Sequence, residues 1–241
     1  MVVGTETMNL SKDLLLKSLR AVLFGKKLYA SDFAEADWKS IFQLADEQTV
    51  SALLLDGMSL LPSECITIPL GDKLKRIATM QRIEQINRLH RKVIVKIDQA
   101  LKSEGIPVVF MKGQTTALRY PNPLHRTPGD IDFVVNPKDF KKAMEVLEKI
   151  GKVDHDLVHE HHGMAWVDGV TVEPHYKVHN YQSPSTDYAM QEMFASVFPS
   201  ELSSADMDGY AVPVFPPTFE SVFLISHMVN HVYEEGLGLR Q

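Results

Sequence analysis

The sequence lacks several features that would place it in well-known classes of protein. Its 241 residues include one cysteine, Cys65, so the chain can form neither an internal disulfide nor a thiolate metal cluster from its own residues. No apolar run approaches the roughly 18 residues of a membrane-spanning helix. The first ten residues lack the basic and apolar regions of a signal peptide. We therefore expect a soluble protein of the cytoplasm with no role in a membrane.

A basic surplus is also missing. The chain has 25 Lys+Arg against 31 Asp+Glu, a net charge of −6, which argues against a protein built mainly to bind nucleic acid. Hydrophobic residues make up 44% and charged residues 23%, as in ordinary globular chains, so disordered and collagen-like classes are excluded. Histidine is the abundant exception: there are ten, and six fall between His155 and His179.

The first hundred residues predict helices. Ser11 is a candidate N-cap for a first helix that stops at Gly25, and a second helix opens near Asp37, breaks, resumes and ends at Gly57. A third, long helix is predicted from about Gly71 to Glu104, where apolar residues recur every three or four positions. Its many Lys and Arg side chains are typical of a solvated helix face. Residues 1–104 are thus predicted to form a helical module.

After residue 105 the pattern becomes that of alternating strands and helices. Two apolar runs predict buried strands, and Asp168-Gly169 between two further runs predicts a hairpin. We assign residues 105–183 to an α/β core and residues 184–241 to a mixed C-terminal segment. The expected class is α+β. The predicted core elements are strands at Ile106–Met111 and Asp130–Val135, a helix from Pro137 in its first turn to Ile150, and hairpin strands at Met164–Val167 and Val170–Tyr176.

Asp130 and Asp132 are the residues most indicative of chemistry. Positions i and i+2 of a strand face the same way about 7 Å apart, so these carboxylates repel each other unless a cation lies between them. Mg²⁺ is commonly held by one or two carboxylates together with phosphates. Alone, however, an Asp-x-Asp pair is common at strand ends and turns, where Asp130 would close a turn and Asp132 would face solvent.

Other residues give the pair a context. Lys112-Gly113 follows the first strand, Arg126 precedes the acids by four residues, and Glu173 stands two residues before His175 on the hairpin. This combination resembles the nucleotidyltransferase superfamily with the DNA polymerase β-like fold. Within it, the sequence is similar to the family of uncharacterised nucleotidyltransferases, with its K-G, R-x-x-x-D-I-D and acid-x-His motifs. The resemblance covers most of the chain and is most specific in the middle.

The resemblance implies a mixed-sheet core preceded by a helical module, and a metal-dependent transfer of a nucleoside monophosphate from a nucleoside triphosphate to an acceptor hydroxyl. The acceptor would be a small molecule or a protein. Two Mg²⁺ or Mn²⁺ ions would activate that hydroxyl and neutralise the triphosphate. The implied catalytic and metal-binding residues are Asp130, Asp132 and Glu173, and the implied nucleotide-binding residues are Lys112, Gly113, Gln114, Thr115, Arg126 and His175.

Two departures from the superfamily pattern stand out. Gly113 is followed by Gln114 where glycine or serine is usual, so Thr115 or Thr116 would have to supply the hydroxyl that contacts phosphate. Pro174 removes a backbone N–H between Glu173 and His175, which predicts an edge strand or a bulge.

Two other functions are open on the sequence. One is a non-catalytic module on the same fold that binds nucleotide or a protein partner, as an antitoxin or a scaffold would. The other is a zinc hydrolase that uses the histidines from His155 to His179. His155 and His159 have the i, i+4 spacing of zinc ligands, but no H-E-x-x-H motif occurs. We interpret His161, His162 and His175 as lining the rim of the carboxylate site.

The last residues raise one further expectation. The sequence stops after an amphipathic helix, where the resemblance implies more helices, which indicates a shortened chain or a naturally short protein.

Overall fold

The computed structural model describes residues 2–156, 162–179, 181 and 183–234. These residues form eight α-helices and seven β-strands with short 3-10 turns between them. The helices are α1 (Val2–Phe24), α2 (Trp38–Glu47), α3 (Ser51–Ser59), α4 (Leu70–Ser103), α5 (Gly113–Ala117), α6 (Phe140–Ile150), α7 (Pro184–Val197) and α8 (Pro217–Glu234). The strands are β1 (Val108–Met111), β2 (Ile131–Val135), β3 (Lys152–Asp154), β4 (Met164–Val167), β5 (Val170–His175), β6 (Ser203–Met207) and β7 (Tyr210–Val214).

Two compact units make up the described chain. The first holds the residues up to Ile86 together with Ala117–Thr127, and the second holds Asn87–Thr116 and the residues from Pro128 onward. In the first unit, α1, α2 and α3 pack around an apolar core that includes Leu14, Ile41 and Leu54. The predicted division at residues 104 and 183 stays a prediction.

The limits of the first helices follow from local contacts. The second helix opens beside Asp37 as predicted, and Asp37 caps α2, because its carboxylate accepts hydrogen bonds from the N–H groups of the first turn. Ser11 is not an N-cap, since it lies buried within α1. Gly57 does not end its helix either. A side chain there would meet the Cβ of Ser18 at 2.9 Å, so Gly57 instead lets α1 and α3 approach closely.

The long helix α4 runs almost as predicted, from Leu70 to Ser103. Its second half buries Val93, Ile97 and Leu101. In its first half the same apolar spacing continues on the surface, where Leu74 is 58% exposed. The spacing of the apolar residues therefore predicts the helix correctly, but it does not show that only the second half of the helix is deeply buried.

The seven strands form one mixed sheet in the order β3-β4-β5-β2-β1-β7-β6, which confirms the predicted α+β class. β1 and β2 are antiparallel, whereas β5 runs parallel to β2 and β7 runs parallel to β1. β4 and β5 form the predicted hairpin around Asp168-Gly169, both of which have positive φ angles. The two outermost strands, β3 and β6, were not predicted.

One face of this sheet is covered by aromatic side chains from the C-terminal helices and from the residues that flank them. Val109, Met111 and Val134 of the central strands pack in a buried cluster with residues of α7 and α8. The aromatic members of that cluster are Tyr181, Phe194, Phe198, Phe215, Phe219 and Phe223. Asp132 lies two residues before Val134 on β2, so its side chain faces the same side of the sheet.

Pro174 does not mark an edge, as the sequence suggested, because β5 lies between β4 and β2. It does not mark a bulge either, since the pairings of Ala165 with Val172 and of His162 with His175 keep a single register. The Gly163 N–H donates to the Pro174 carbonyl over 2.9 Å, but proline has no N–H with which to donate in return. The pairing of Gly163 with Pro174, next to the end of β4, therefore has one hydrogen bond instead of two.

None of the helices in the described part of the chain combines the length and the apolar character needed to cross a membrane.

Candidate active site

The antiparallel pairing of β1 with β2 brings the Lys112-Gly113 turn to the first acids. Met111, the last residue of β1, lies opposite Asp132, so the residues that follow β1 meet those that open β2. Lys112 and Gly113 have φ angles of +54° and +34°. A Cβ on Gly113 would lie 3.3 Å from the Asp130 carbonyl oxygen. The turn therefore combines a left-handed backbone with a close approach to another strand, and both favour glycine.

The residues after Gly113 form hydrogen bonds back to Lys112, within the same turn. Thr115 donates both its backbone N–H and its hydroxyl to the Lys112 carbonyl, at 2.9 and 2.7 Å. The Thr116 hydroxyl oxygen is buried and makes no hydrogen bond. Of the two threonines considered as phosphate ligands, Thr116 is thus the one whose hydroxyl is uncommitted.

Gln114 is anchored in the protein interior rather than at the surface. Only 4% of it is exposed, and its amide nitrogen donates to Asn87 Oδ1 of α4 over 2.5 Å. Arg91, one turn further along α4, approaches Gln114 Oε1 at 3.5 Å and donates to Asp208 over 2.7 Å. These contacts hold the turn on α4.

Sequence reasoning missed the part that Asn87 and Arg91 play. Their positions in the sequence indicate this role. Asn87 and Arg91 follow the buried Ile83 at intervals of four residues, and the fully buried Asp98 lies on the same side of α4. Polar residues in such a stripe indicate a buried network.

Asp132 lies at the centre of the second unit's polar cluster. It is 3% exposed, the Lys112 ammonium donates to its Oδ1 over 3.2 Å, and the His175 Nε2 donates to the same oxygen over 3.0 Å. Burial acts to raise the pKa of Asp132, but Lys112 and His175 outweigh it and hold that pKa well below its usual range. Burial lowers the pKa of His175, with Asp132 acting in the opposite direction.

Glu173 joins this cluster through the parallel pairing of β5 with β2, in which it lies beside Asp132. Burial, followed by the nearby charges of Asp132 and Asp130, raises the pKa of Glu173 to about 7. The structure thus brings together the three acids that the sequence singled out, and Lys112, Gly113 and His175 with them.

The cluster has the donor set of a divalent-cation site. Carboxylate oxygens are the ligands that Mg²⁺ and Mn²⁺ prefer, and the charges of Asp132 and Asp130 repel the ionised form of Glu173. A bound cation would relieve that repulsion. The residues present therefore fit such an ion, held by Asp130, Asp132 and Glu173.

His162 lies next to the acids and extends the cluster. It forms an isolated antiparallel bridge with His175, and the two rings are 5.0 Å apart. The His162 Nε2 lies 3.8 Å from Glu173 Oε2, and the His175 Nε2 lies 3.9 Å from the same oxygen.

The remaining site residues and histidines lie elsewhere or outside the described part of the chain. Arg126 belongs to the first unit, and its predicted contact with phosphate stays a prediction. His155 pairs with Glu148 at the surface, and His179 packs its ring against Tyr181. His159 and His161 are outside the described residues, so the i, i+4 pair of the zinc-hydrolase hypothesis is not described as a pair.

Comparisons with known proteins agree with the motifs. The sequence model of the uncharacterised nucleotidyltransferase family matches residues 34–241. A provisionally assigned nucleotidyltransferase from Thermotoga maritima, known from its crystal structure, is 17% identical, with a TM-score of 0.40 over 59% of this chain and 87% of that one. No curated protein matches the sequence. Because the family match spans well over half of the chain, this protein belongs to the family of uncharacterised nucleotidyltransferases.

Proposed function

We propose that this protein transfers a nucleoside monophosphate from a nucleoside triphosphate to an acceptor hydroxyl, in a reaction that depends on Mg²⁺ or Mn²⁺. The observation that carries the proposal is the register of β2 and β5, which sets Asp132 beside Glu173 with Asp130 within electrostatic reach. Family membership supports the reaction class. We place the reaction in the cytoplasm, where the lone Cys65 would stay reduced.

The three carboxylates would hold the metal. A divalent cation held there would neutralise charge on the triphosphate and on the departing pyrophosphate. His175 and Lys112 keep Asp132 ionised and oriented, since each donates to its Oδ1. Asp132 therefore presents its second oxygen in a fixed direction, as a metal ligand must.

Lys112 is the residue best placed to meet the triphosphate. Its side chain is 18% exposed, so the ammonium group lies at the acid cluster and is still accessible from solvent. An ammonium group donates to phosphate oxygens as a compact charge. Gly113 removes the Cβ that would obstruct the same turn. Gln114 and Thr115 act by holding the turn in shape.

The reaction balances without a further reactant. The acceptor oxygen bonds to the α-phosphorus while the bond from that phosphorus to the bridging β-oxygen breaks. The products are the nucleotidylated acceptor, pyrophosphate and a proton. The acceptor is a hydroxyl of a small molecule or of a protein.

Thermal unfolding with each nucleoside triphosphate, in the presence of Mg²⁺ or Mn²⁺, tests the proposed site. We expect metal and triphosphate together to raise the melting temperature more than either alone, because the ligand binds only the folded protein. Asp132→Asn should abolish this increase, and the exposed Asp72→Asn should retain it in full. No stabilisation of the wild type by any triphosphate, or equal stabilisation of Asp132→Asn, would contradict the proposal.

Turnover is the second measurement. Transfer of label from an α-phosphate-labelled triphosphate, with matching release of pyrophosphate, would establish the reaction. A triphosphate that stabilises the protein but is never consumed would instead support a nucleotide-binding module.

A further inference from the structure

Three potential metal ligands converge at the end of the β4–β5 hairpin. The register set by the Asp168-Gly169 turn places His162 directly opposite His175. Glu173 lies two residues before His175 on the same strand, so its side chain faces the same way. The convergence of His162, Glu173 and His175 is therefore a consequence of hairpin pairing.

The ligand atoms of these residues are close and partly shielded from water. They all lie within 4.8 Å of one another. The side chain of His175 is 1% exposed, and those of His162 and Glu173 are 14% and 20% exposed. The group is therefore largely shielded from water, with part of His162 and of Glu173 exposed to solvent.

We propose that His162, Glu173 and His175 form a binding site for a late first-row divalent metal ion, with Zn²⁺ as the best fit. Two imidazoles and one carboxylate are a known ligand set for zinc with an open fourth position. Imidazole nitrogen favours Zn²⁺ and Co²⁺ over Mg²⁺, which takes oxygen ligands.

The distances suit such an ion. Zinc binds nitrogen and oxygen ligands at about 2.0 to 2.2 Å, which sets tetrahedral ligand atoms about 3.4 Å apart. The distances from Glu173 Oε2 to His162 Nε2 and to His175 Nε2 are 3.8 and 3.9 Å. Closing them requires only small side-chain rotations.

The hydrogen bond between His175 and Asp132 does not prevent this binding. A metal at His175 Nε2 takes the place of the proton that Asp132 accepts. Asp132 then keeps its ion pair with Lys112, at 3.2 Å, so its buried charge stays compensated.

The zinc site shares Glu173 with the proposed triphosphate site but does not rest on that proposal. Its support is the hairpin register and the distances among His162, Glu173 and His175. The two hypotheses can therefore fail separately.

Titration of the full chain with Co²⁺ and Zn²⁺, after removal of metal by a chelator, tests the inference. Visible absorption reports the coordination of Co²⁺, and calorimetry reports the number of Zn²⁺ ions bound and their affinity. We expect one ion per chain, with an affinity lowered roughly tenfold or more by His162→Ala. Glu173→Gln, which keeps the size of the side chain, should weaken binding in the same way.

The matched control is His155→Ala, which removes an exposed histidine from the same hairpin region. It should bind both metals as the wild type does. No binding to the wild type, or unchanged binding to His162→Ala and Glu173→Gln, would overturn the inference.

Asp130→Asn separates this inference from the proposed function. It should lose stabilisation by Mg²⁺ and triphosphate and still give the Co²⁺ absorption of the wild type. If Asp130→Asn instead loses the Co²⁺ absorption, the ion is bound by the acids and the His162 site is wrong. If Co²⁺ binds as expected while no triphosphate stabilises the wild type, only the proposed function fails.

Discussion

At the scale of single residues, the turn after β1 holds an unusual backbone next to a buried charge. Lys112 has a left-handed conformation that costs a side-chain-bearing residue about 1 kcal/mol or more. The same residue donates to the buried Asp132. Because the ion pair compensates a charge that would otherwise be isolated in the interior, it can sustain this backbone strain.

Gly113→Ala tests whether the turn needs glycine. We expect a loss of about 1 to 2 kcal/mol in the free energy of unfolding, because alanine disfavours a positive φ and its Cβ would crowd the Asp130 carbonyl. Urea denaturation measures this loss. Stabilisation by metal and triphosphate should weaken as well, since the turn would shift from Asp130.

The control is Gly71→Ala near the start of α4, where a Cβ would meet nothing within 4 Å. A glycine-to-alanine change in a helix is neutral or stabilising by up to about 1 kcal/mol. If Gly113→Ala is as well tolerated as Gly71→Ala, then the turn has no need of glycine.

At the scale of elements, local patterns predicted more than long-range pairings did. The 3-to-4 spacing in α4 and the Asp168-Gly169 turn each reflect contacts among near neighbours, and both elements formed as predicted. The short strands β3 and β6 carry partly exposed, polar residues, and their pairing partners cannot be read from their own sequence. The parallel pairing of β7 with β1 joins residues about a hundred positions apart, which no local pattern encodes.

In the candidate site, too, local motifs were predicted and long-range contacts were not. Asp130, Asp132 and Glu173 were predicted because they stand in compact motifs next to strands. The inward direction of Gln114 was not predicted, because it depends on Asn87 and Arg91 of a distant helix. A hydrogen-bonded network of buried side chains is a property of packing and leaves only a weak trace in the sequence.

Gln114→Ala tests the contact between α4 and the turn. It removes one hydrogen bond of buried Asn87 and one contact of Arg91, and the loss of a buried hydrogen bond costs about 1 kcal/mol. We expect a lower melting temperature and weaker stabilisation by metal and triphosphate. Gln43→Ala should change neither, since Gln43 is exposed and contacts only Glu47 through its amide. An unchanged melting temperature for Gln114→Ala would show that the buried network contributes nothing.

At the scale of the whole molecule, helix α4 contributes polar contacts to both compact units. In the first unit Arg76 pairs with Asp46 at 2.8 Å. In the second unit Arg91 pairs with Asp208 at 2.7 Å, and the buried Asp98 accepts from Tyr210 at 2.8 Å. No glycine or proline interrupts the helix after its first turn, so we expect its two halves to unfold together.

The two tryptophans make this coupling measurable, because the chain has only two and they lie in different units. Trp38 is buried in the first unit and stacks on Phe33, and Trp166 lies in β4 of the second. Trp38→Phe keeps Trp166 as its single tryptophan, and Trp166→Phe keeps Trp38. In each variant we expect the urea transition followed by tryptophan fluorescence to coincide with the transition followed by circular dichroism. We also expect Zn²⁺ to raise the midpoint in both, although its proposed ligands belong to the second unit alone. The reason is that a ligand stabilises every residue that unfolds in the same cooperative step. If Zn²⁺ moves the Trp166 transition but leaves the Trp38 transition in place, the two units unfold independently despite the helix they share.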